Sequence, residues 1–123
     1  MSTAAAAALS NVGLTVLTEE EELFRASVRE FAEGEVRPRV EQMEHASKLD
    51  QGLIKQCFEL GLMAIESPEE YGGAGSTIFN AILAIEEIAR VDASLSVFVD
   101  VHNTLVTNAF MRWGNDDLKK KYL

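Results

Sequence analysis

Cysteine is almost missing from this chain. Cys57 stands alone among 123 residues, which excludes an internal disulfide framework and a thiolate-based metal site. It falls in an apolar helical pattern, where a buried structural thiol is expected, and its isolation fits a reducing compartment. Basic residues are scarce as well: 11 Lys and Arg against 20 Asp and Glu give a formal net charge of −9. Phosphate backbones are bound by clustered Lys and Arg, so nucleic acid is a poor partner. The acidic excess is dispersed, densest at Glu19–Glu22, and reads as solvated helix surface. No apolar run reaches the ~18 to 20 residues that span a bilayer. Met1–Leu9 carries an alanine run without a basic residue, which fits neither a secretory signal nor an Arg-rich transit peptide. Residues 1–16 are therefore expected to be a loose N-terminal tail.

What is present is helical periodicity in one domain, with enough apolar residues to bury a core. Leu17–Val36 is predicted as the first helix. Thr18 caps it, Glu21 completes a capping box, and Phe24, Val28, Phe31 and Ala32 share its apolar face. Gly34 weakens its last turns and Pro38 is expected to break it. A shorter helix then runs from Arg39 to about Ala46, with Val40 and Met43 on its apolar side. Asp50 caps a third, Gln51 to about Leu60, which Gly61 closes in the left-handed conformation. Leu62–Ile65 is too short for a helix and is expected to be an extended connector lying on the core.

The stretch from Pro68 to Trp113 organises the rest. It opens on Gly72-Gly73-Ala74-Gly75-Ser76-Thr77, a cluster that invites a phosphate-binding reading. No Lys follows the last glycine and no βαβ unit surrounds it, so neither a P-loop nor a dinucleotide fingerprint is present. A sharp turn feeding the helix cap Ser76 accounts for these residues. Ser76–Val91 is the fourth helix and Ser94–Trp113 the fifth, with Asp92 or Ser94 as its cap. The fifth carries two apolar stripes, Phe98, Val101, Leu105, Ala109 and Leu95, Val99, Val106, Phe110. Ser96, Asp100, Asn103 and Thr107 run between them. Apolar on two sides, residues 94–113 are expected to be the helix that the others surround. Gly114 ends it, and Asn115 caps a last amphipathic turn bearing Leu118 and Tyr122. The fold class is an all-α, orthogonal or up-down bundle of about five to six helices.

Groups with chemical potential are few. His45 lies in a polar segment, whereas His102 sits on the apolar fifth helix beside Asn103. A satisfied core or pocket-edge role suits such a lone histidine better than catalysis. Glu86-Glu87 lacks the Glu-x-x-His partners of a di-iron bundle. Asp100, if buried and ionised without a partner, would cost several kcal/mol, so an Arg partner or a helix-capping role is expected. Neither a metal set nor a catalytic constellation emerges.

The order of the motifs says more than any one of them. LTEEEELFRASVREFAEGEVRPRV, LIKQCFELGLMAIESPEEYGGAGST, AILAIEEIARVDASLSVFVDVHNTL and WGNDDLKKKYL, in this order, resemble the N-terminal helical domain of an acyl-CoA dehydrogenase. The resemblance covers Leu17–Leu123 and is most specific at Glu70-Tyr71-Gly72-Gly73, Ile85–Ala89 with Asp92-Ala93-Ser94, and Lys120–Leu123. Val91–Ser94 and Asn103-Thr104-Leu105 are most similar to the short/branched-chain enzymes. The resemblance implies a three-domain FAD enzyme that dehydrogenates an acyl-CoA between its α and β carbons. It also implies electron transfer to an electron-transferring flavoprotein, a homotetramer, and residence in a bacterial cytoplasm or a mitochondrial matrix. The family's glutamate base and most flavin contacts belong to the middle β domain and the C-terminal helical domain, so no catalytic or cofactor-binding residue is carried over. What the resemblance assigns to this domain is part of the acyl-pocket wall, with Val97, Phe98, Val101 and Leu105 as candidates by position. Core packing explains the same four equally well. A non-catalytic helical binding or assembly module is the alternative function.

Overall fold

A computed structural model describes residue 13 and residues 15–123, so most of the expected tail lies outside the described residues. Every regular element among them is helical. The α segments are α1 (Glu19–Phe31), α2 (Val40–Ala46), α3 (Gln51–Glu59), α4 (Ile78–Ala89), α5 (Ala93–Val101), α6 (Asn108–Trp113) and α7 (Asp116–Tyr122). α1 and α2 belong to one continuous helical run, and so do α5 and α6. The all-α class expected from the periodicity is the class observed.

Local chemistry sets the boundaries. Thr18 Oγ1 accepts from the Glu21 amide while Glu21 Oε2 accepts from the Thr18 amide, a complete capping box. Asp50, Asp92 and Asn115 each accept an amide hydrogen three residues on, from Leu53, Leu95 and Leu118. Gly61, at φ 74°, closes α3. Its amide bonds Phe58 O and that of Leu62 bonds Cys57 O, which is the Schellman pattern.

Two expected helix boundaries are corrected. Pro38 does not break the chain out of its helical path. A π turn at Ala32–Val36 and a 3-10 turn at Arg37–Arg39 lead from α1 into α2. Proline lacks an amide donor and its ring crowds the carbonyl four residues back. Changing the hydrogen-bond register on either side accommodates both defects. The cap of α4 is Thr77, not Ser76: Thr77 Oγ1 accepts from the Asn80 amide, and Ser76 Oγ instead accepts from Asn80 Nδ2.

α4 packs against both α1 and α5. It buries Ala81, Leu83, Ala84 and Ile88. α1 contributes Val28 and Phe31, α3 Leu53 and Cys57, and α5 Leu95 and Val99. Fully burying a side chain such as Leu53, Ile88 or Leu95 stabilises the fold by about 1.5 to 3 kcal/mol. The helical run from α5 to α6 buries one of its apolar faces and leaves the other open. Val97 and Leu105 on the open side are 57% and 62% exposed. It is α4, therefore, that lies between neighbours on two sides.

A polar clamp reinforces the α1–α4 contact. Arg29 Nε and Nη2 each donate to Glu87 at 2.8 Å, and Arg90 Nη1 adds a third bond at 3.2 Å. Glu87 is buried, and the guanidinium bonds hold its carboxyl below the usual carboxylate range. This is why the Glu86-Glu87 pair is built as it is: Glu86 faces solvent and Glu87 joins two helices.

The connector between α3 and the glycine cluster lies on the core, with Leu62, Met63 and Ile65 buried. It follows turns and bends rather than one extended line. The glycine cluster folds back along it. The amides of Ala74, Gly75 and Ser76 bond the carbonyls of Ala64, Ser67 and Ile65 at 2.9, 2.9 and 2.8 Å. Gly73 passes so close to the Ser67 carbonyl that no side chain fits there.

Candidate functional site

The open face of α5 carries a groove of about 360 Å³, lined by Ser94, Val97, Phe98, Val101, His102 and Val106. α5 places these residues because its other face, Leu95 and Val99, is committed to the core. Three of the four sequence candidates, Val97, Phe98 and Val101, meet here. Leu105 does not line this groove, and Val106, which the sequence reading did not select, does. The cause is a π turn at His102–Thr107. In an unbroken α-helix, 97, 101 and 105 share a face by i, i+4 spacing. A π turn takes in one more residue, so the position after Val101 along this face falls at 106.

His102 sits at the end of the groove and also borders a second cavity of about 260 Å³ beside Phe58, Met63 and Ala74. Its ring meets Phe58 edge-on, with centroids 5.6 Å apart. Burial lowers its pKa below the ordinary histidine value, so the imidazole is neutral at pH 7. No ion pair engages it among the described residues, in keeping with a pocket-edge residue. His45 is exposed, 3.8 Å from Glu41 on the same helix.

Asp100 departs from expectation. It is half-buried and its carboxylate forms no ion pair among the described residues. Its partner is the Thr104 hydroxyl, 3.1 Å from Oδ1 and 2.9 Å from its own carbonyl oxygen. Partial exposure makes an arginine unnecessary, since water solvates the remaining oxygen. Cys57 is fully buried on α3, and desolvation pushes its thiol up to about 11, which suits a packing role and not a nucleophile.

Asn103 is the residue the sequence reading underused. At 1% exposure it accepts from the Ile65 amide at 2.9 Å and donates to Leu62 O and Val99 O, both at 2.8 Å. One amide thus pins the connector to the helix that carries the groove. A buried Asn within an apolar helix was the available signal, because such a group must find partners.

The glycine cluster is not built to grip a dinucleotide. The amides of residues 71–76, which a phosphate would need, are all spent on carbonyls between Ala64 and Glu69. The glycine cluster is a turn, as its spacing implies, and the chain offers a flavin no phosphate cradle there.

Comparison with known proteins fits this geometry. The family model for the acyl-CoA dehydrogenase N-terminal domain matches residues 18–123. The chain belongs to the acyl-CoA dehydrogenase family. It is 46% identical to a probable short/branched chain specific acyl-CoA dehydrogenase of Dictyostelium discoideum, over 89% of this chain and 27% of that protein. Among solved structures, the butyryl-CoA dehydrogenase of Megasphaera elsdenii superposes with a TM-score of 0.80 at 29% identity, covering 88% of this chain and 29% of that one. A chain from the structure of the electron transferring flavoprotein of Acidaminococcus fermentans, described in terms of flavin-based electron bifurcation, gives 0.82 at 34% identity, covering 88% and 28%. This acyl-CoA dehydrogenase domain thus spans little more than a quarter of the relatives it matches.

Proposed function

We propose that this chain is the N-terminal domain of an FAD-dependent acyl-CoA dehydrogenase acting on short or branched acyl groups, and that its α5 groove forms part of the acyl-pocket wall. The observation that carries the reading is the groove itself: Val97, Phe98, Val101 and Val106 open to the outside on a helix whose opposite face is core. An apolar strip left open beside a packed core is suited to an apolar ligand or a further domain. Family membership, and similarity to a short/branched chain specific enzyme, support an acyl-CoA as that ligand. Leu105, off the groove but exposed on the same helix, is proposed to extend the strip. FAD, bound by other parts of the protein, supplies the redox chemistry. Similarity to the Acidaminococcus chain supports an electron transferring flavoprotein as the electron acceptor. A homotetramer is the proposed assembly of the whole protein.

In this chain the protein's own residues orient and exclude water. The valines and Phe98 surround an acyl tail without offering it a hydrogen bond, and neutral His102 closes one end without placing a charge there. Specificity in such a groove comes from its depth, since each methylene contributes roughly 1 to 3 kcal/mol to discrimination. The test is anaerobic addition of short straight and branched acyl-CoA esters to the purified full-length protein. Loss of the oxidised flavin absorbance with at least one of them is expected. A full-length protein that binds no flavin, or whose flavin none of them reduces, refutes the reading in favour of a helical binding module.

A further inference from the structure

Two hollows flank the end of α5, and one side chain belongs to both. The groove of about 360 Å³ runs along Val97, Phe98, Val101 and Val106. The cavity of about 260 Å³ is walled by Phe58 of α3, Met63 and Ala64 of the connector, Ala74 of the glycine cluster, Thr107 and Tyr122. Among the described residues, His102 alone lines the two. Its ring meets Phe58 edge-on, centroids 5.6 Å apart, so the imidazole reaches from the end of the groove to the wall of the cavity.

The frame around the cavity is tied without the imidazole. Asn103, next in the chain, accepts from the Ile65 amide at 2.9 Å and donates to Leu62 O at 2.8 Å. The Ala74 amide bonds Ala64 O at 2.9 Å. These bonds hold the connector to the helix on one side and to the glycine cluster on the other. Walls so held cannot close over a truncated side chain without breaking them, so the vacated space persists in part. The chemistry of the two hollows also matches. Phe58, Met63, Ala64 and Ala74 present apolar surface, and the Thr107 hydroxyl is spent on Asn103 O at 2.6 Å. A hydrocarbon tail that suits the valine groove suits this cavity as well.

We propose that His102 sets the acyl length limit: its side chain ends the α5 groove at the Phe58 cavity, and a small residue at 102 would join the two into one channel for longer straight acyl chains. This limit rests on the α5 groove being the acyl wall.

Three variants of the full-length flavoprotein test it, read by the kcat/KM ratio of an eight-carbon to a four-carbon acyl-CoA. His102→Ala is expected to raise that ratio at least about tenfold, the low end of what one methylene is worth in an apolar pocket. Ala64→Leu, which adds bulk to the cavity, is expected to leave it within about twofold of wild type, because the imidazole bars the way there. The double variant is expected to return to within about twofold of wild type. General loosening around residue 102 would survive the change at Ala64, so an undiminished rise in the double variant overturns the proposal. An unchanged ratio in His102→Ala, or a tenfold shift in Ala64→Leu alone, overturns it too. Should the double variant fail to fold, a crystal structure of His102→Ala under xenon decides: gas sites running from groove into cavity support the partition, and sites in the groove alone overturn it. Should His102→Ala fail to fold, the wild type decides. A kcat/KM that falls from four to eight carbons supports the limit, and one that is level or rises overturns it. If the wild type oxidises no acyl-CoA, the functional reading fails separately, and the xenon structure still tests the partition.

Discussion

Replacing Gly73 by alanine is expected to damage this fold more than its surface loop position implies. A Cβ at Gly73 would lie 2.6 Å from the Ser67 Cβ and closer still to the Ser67 carbonyl. Both partners are fixed: Ser67 is buried and its carbonyl accepts from Gly75. The two strands of the loop would have to separate, and the three bonds from Ala74, Gly75 and Ser76 to the connector lie next to the intrusion. At about 1 kcal/mol net per bond, losing two or three costs about 2 to 3 kcal/mol. Gly34→Ala is the control. It sits in the π turn after α1, with nothing within 4 Å of its added Cβ, so removing glycine's unfolded-state freedom is expected to stabilise by about 0.5 to 1 kcal/mol. Urea unfolding of the 123-residue chain followed by circular dichroism measures both. Equal midpoints for Gly73→Ala and wild type would refute the close-approach argument, and so would destabilisation of equal size at Gly34.

Two further outcomes are expected from the same chain. Glu87→Gln removes the charge that joins Arg29 and Arg90, and a loss of about 2 kcal/mol is expected in urea unfolding; an unchanged midpoint would mean that the α1–α4 clamp is ornamental. His102 gives a pH signature. Its folded pKa is lowered from 6.5 by burial, so the unfolded chain takes up the proton first as pH falls. Stability is therefore complete above pH 6.5 and declines below it until the folded imidazole also protonates. The lowered carboxyls of Glu87 and Asp50 act lower, from about their ordinary 4.5 and 3.8 downward. His102→Gln is thus expected to flatten the stability profile just below pH 6.5, and an identical slope in the variant would assign the decline to another group.

The helices and most of their caps were legible in the sequence because they rest on local chemistry. Thr18 with Glu21, Asp50, Asp92, Asn115 and Gly61 each act within six residues of themselves. What was misread depends on hydrogen-bond register, which a fixed helical period assumes and does not test. Pro38 looked like a break because a regular α-helix cannot hold it, yet a π turn and a 3-10 turn do. Leu105 looked like a groove residue because 97, 101 and 105 keep α spacing, yet the π turn at His102–Thr107 substitutes Val106. The two apolar stripes of residues 94–113 predicted burial on both sides. An apolar pattern marks both faces as suited to burial without saying what covers them, and in this chain one of them is open. Asn103 joins elements 38 and 41 residues away, and no local pattern names such partners.

Filling the groove tests the central claim most directly. Val101 is 38% exposed on the groove wall, so a phenylalanine there enters open space and leaves the core untouched. In the full-length flavoprotein, Val101→Phe is expected to lower kcat/KM for a branched five-carbon acyl-CoA by at least about tenfold relative to a two- or three-carbon one. A kcat/KM that is unchanged for both, or lowered by the same factor for both, would contradict an α5 groove that borders the acyl chain.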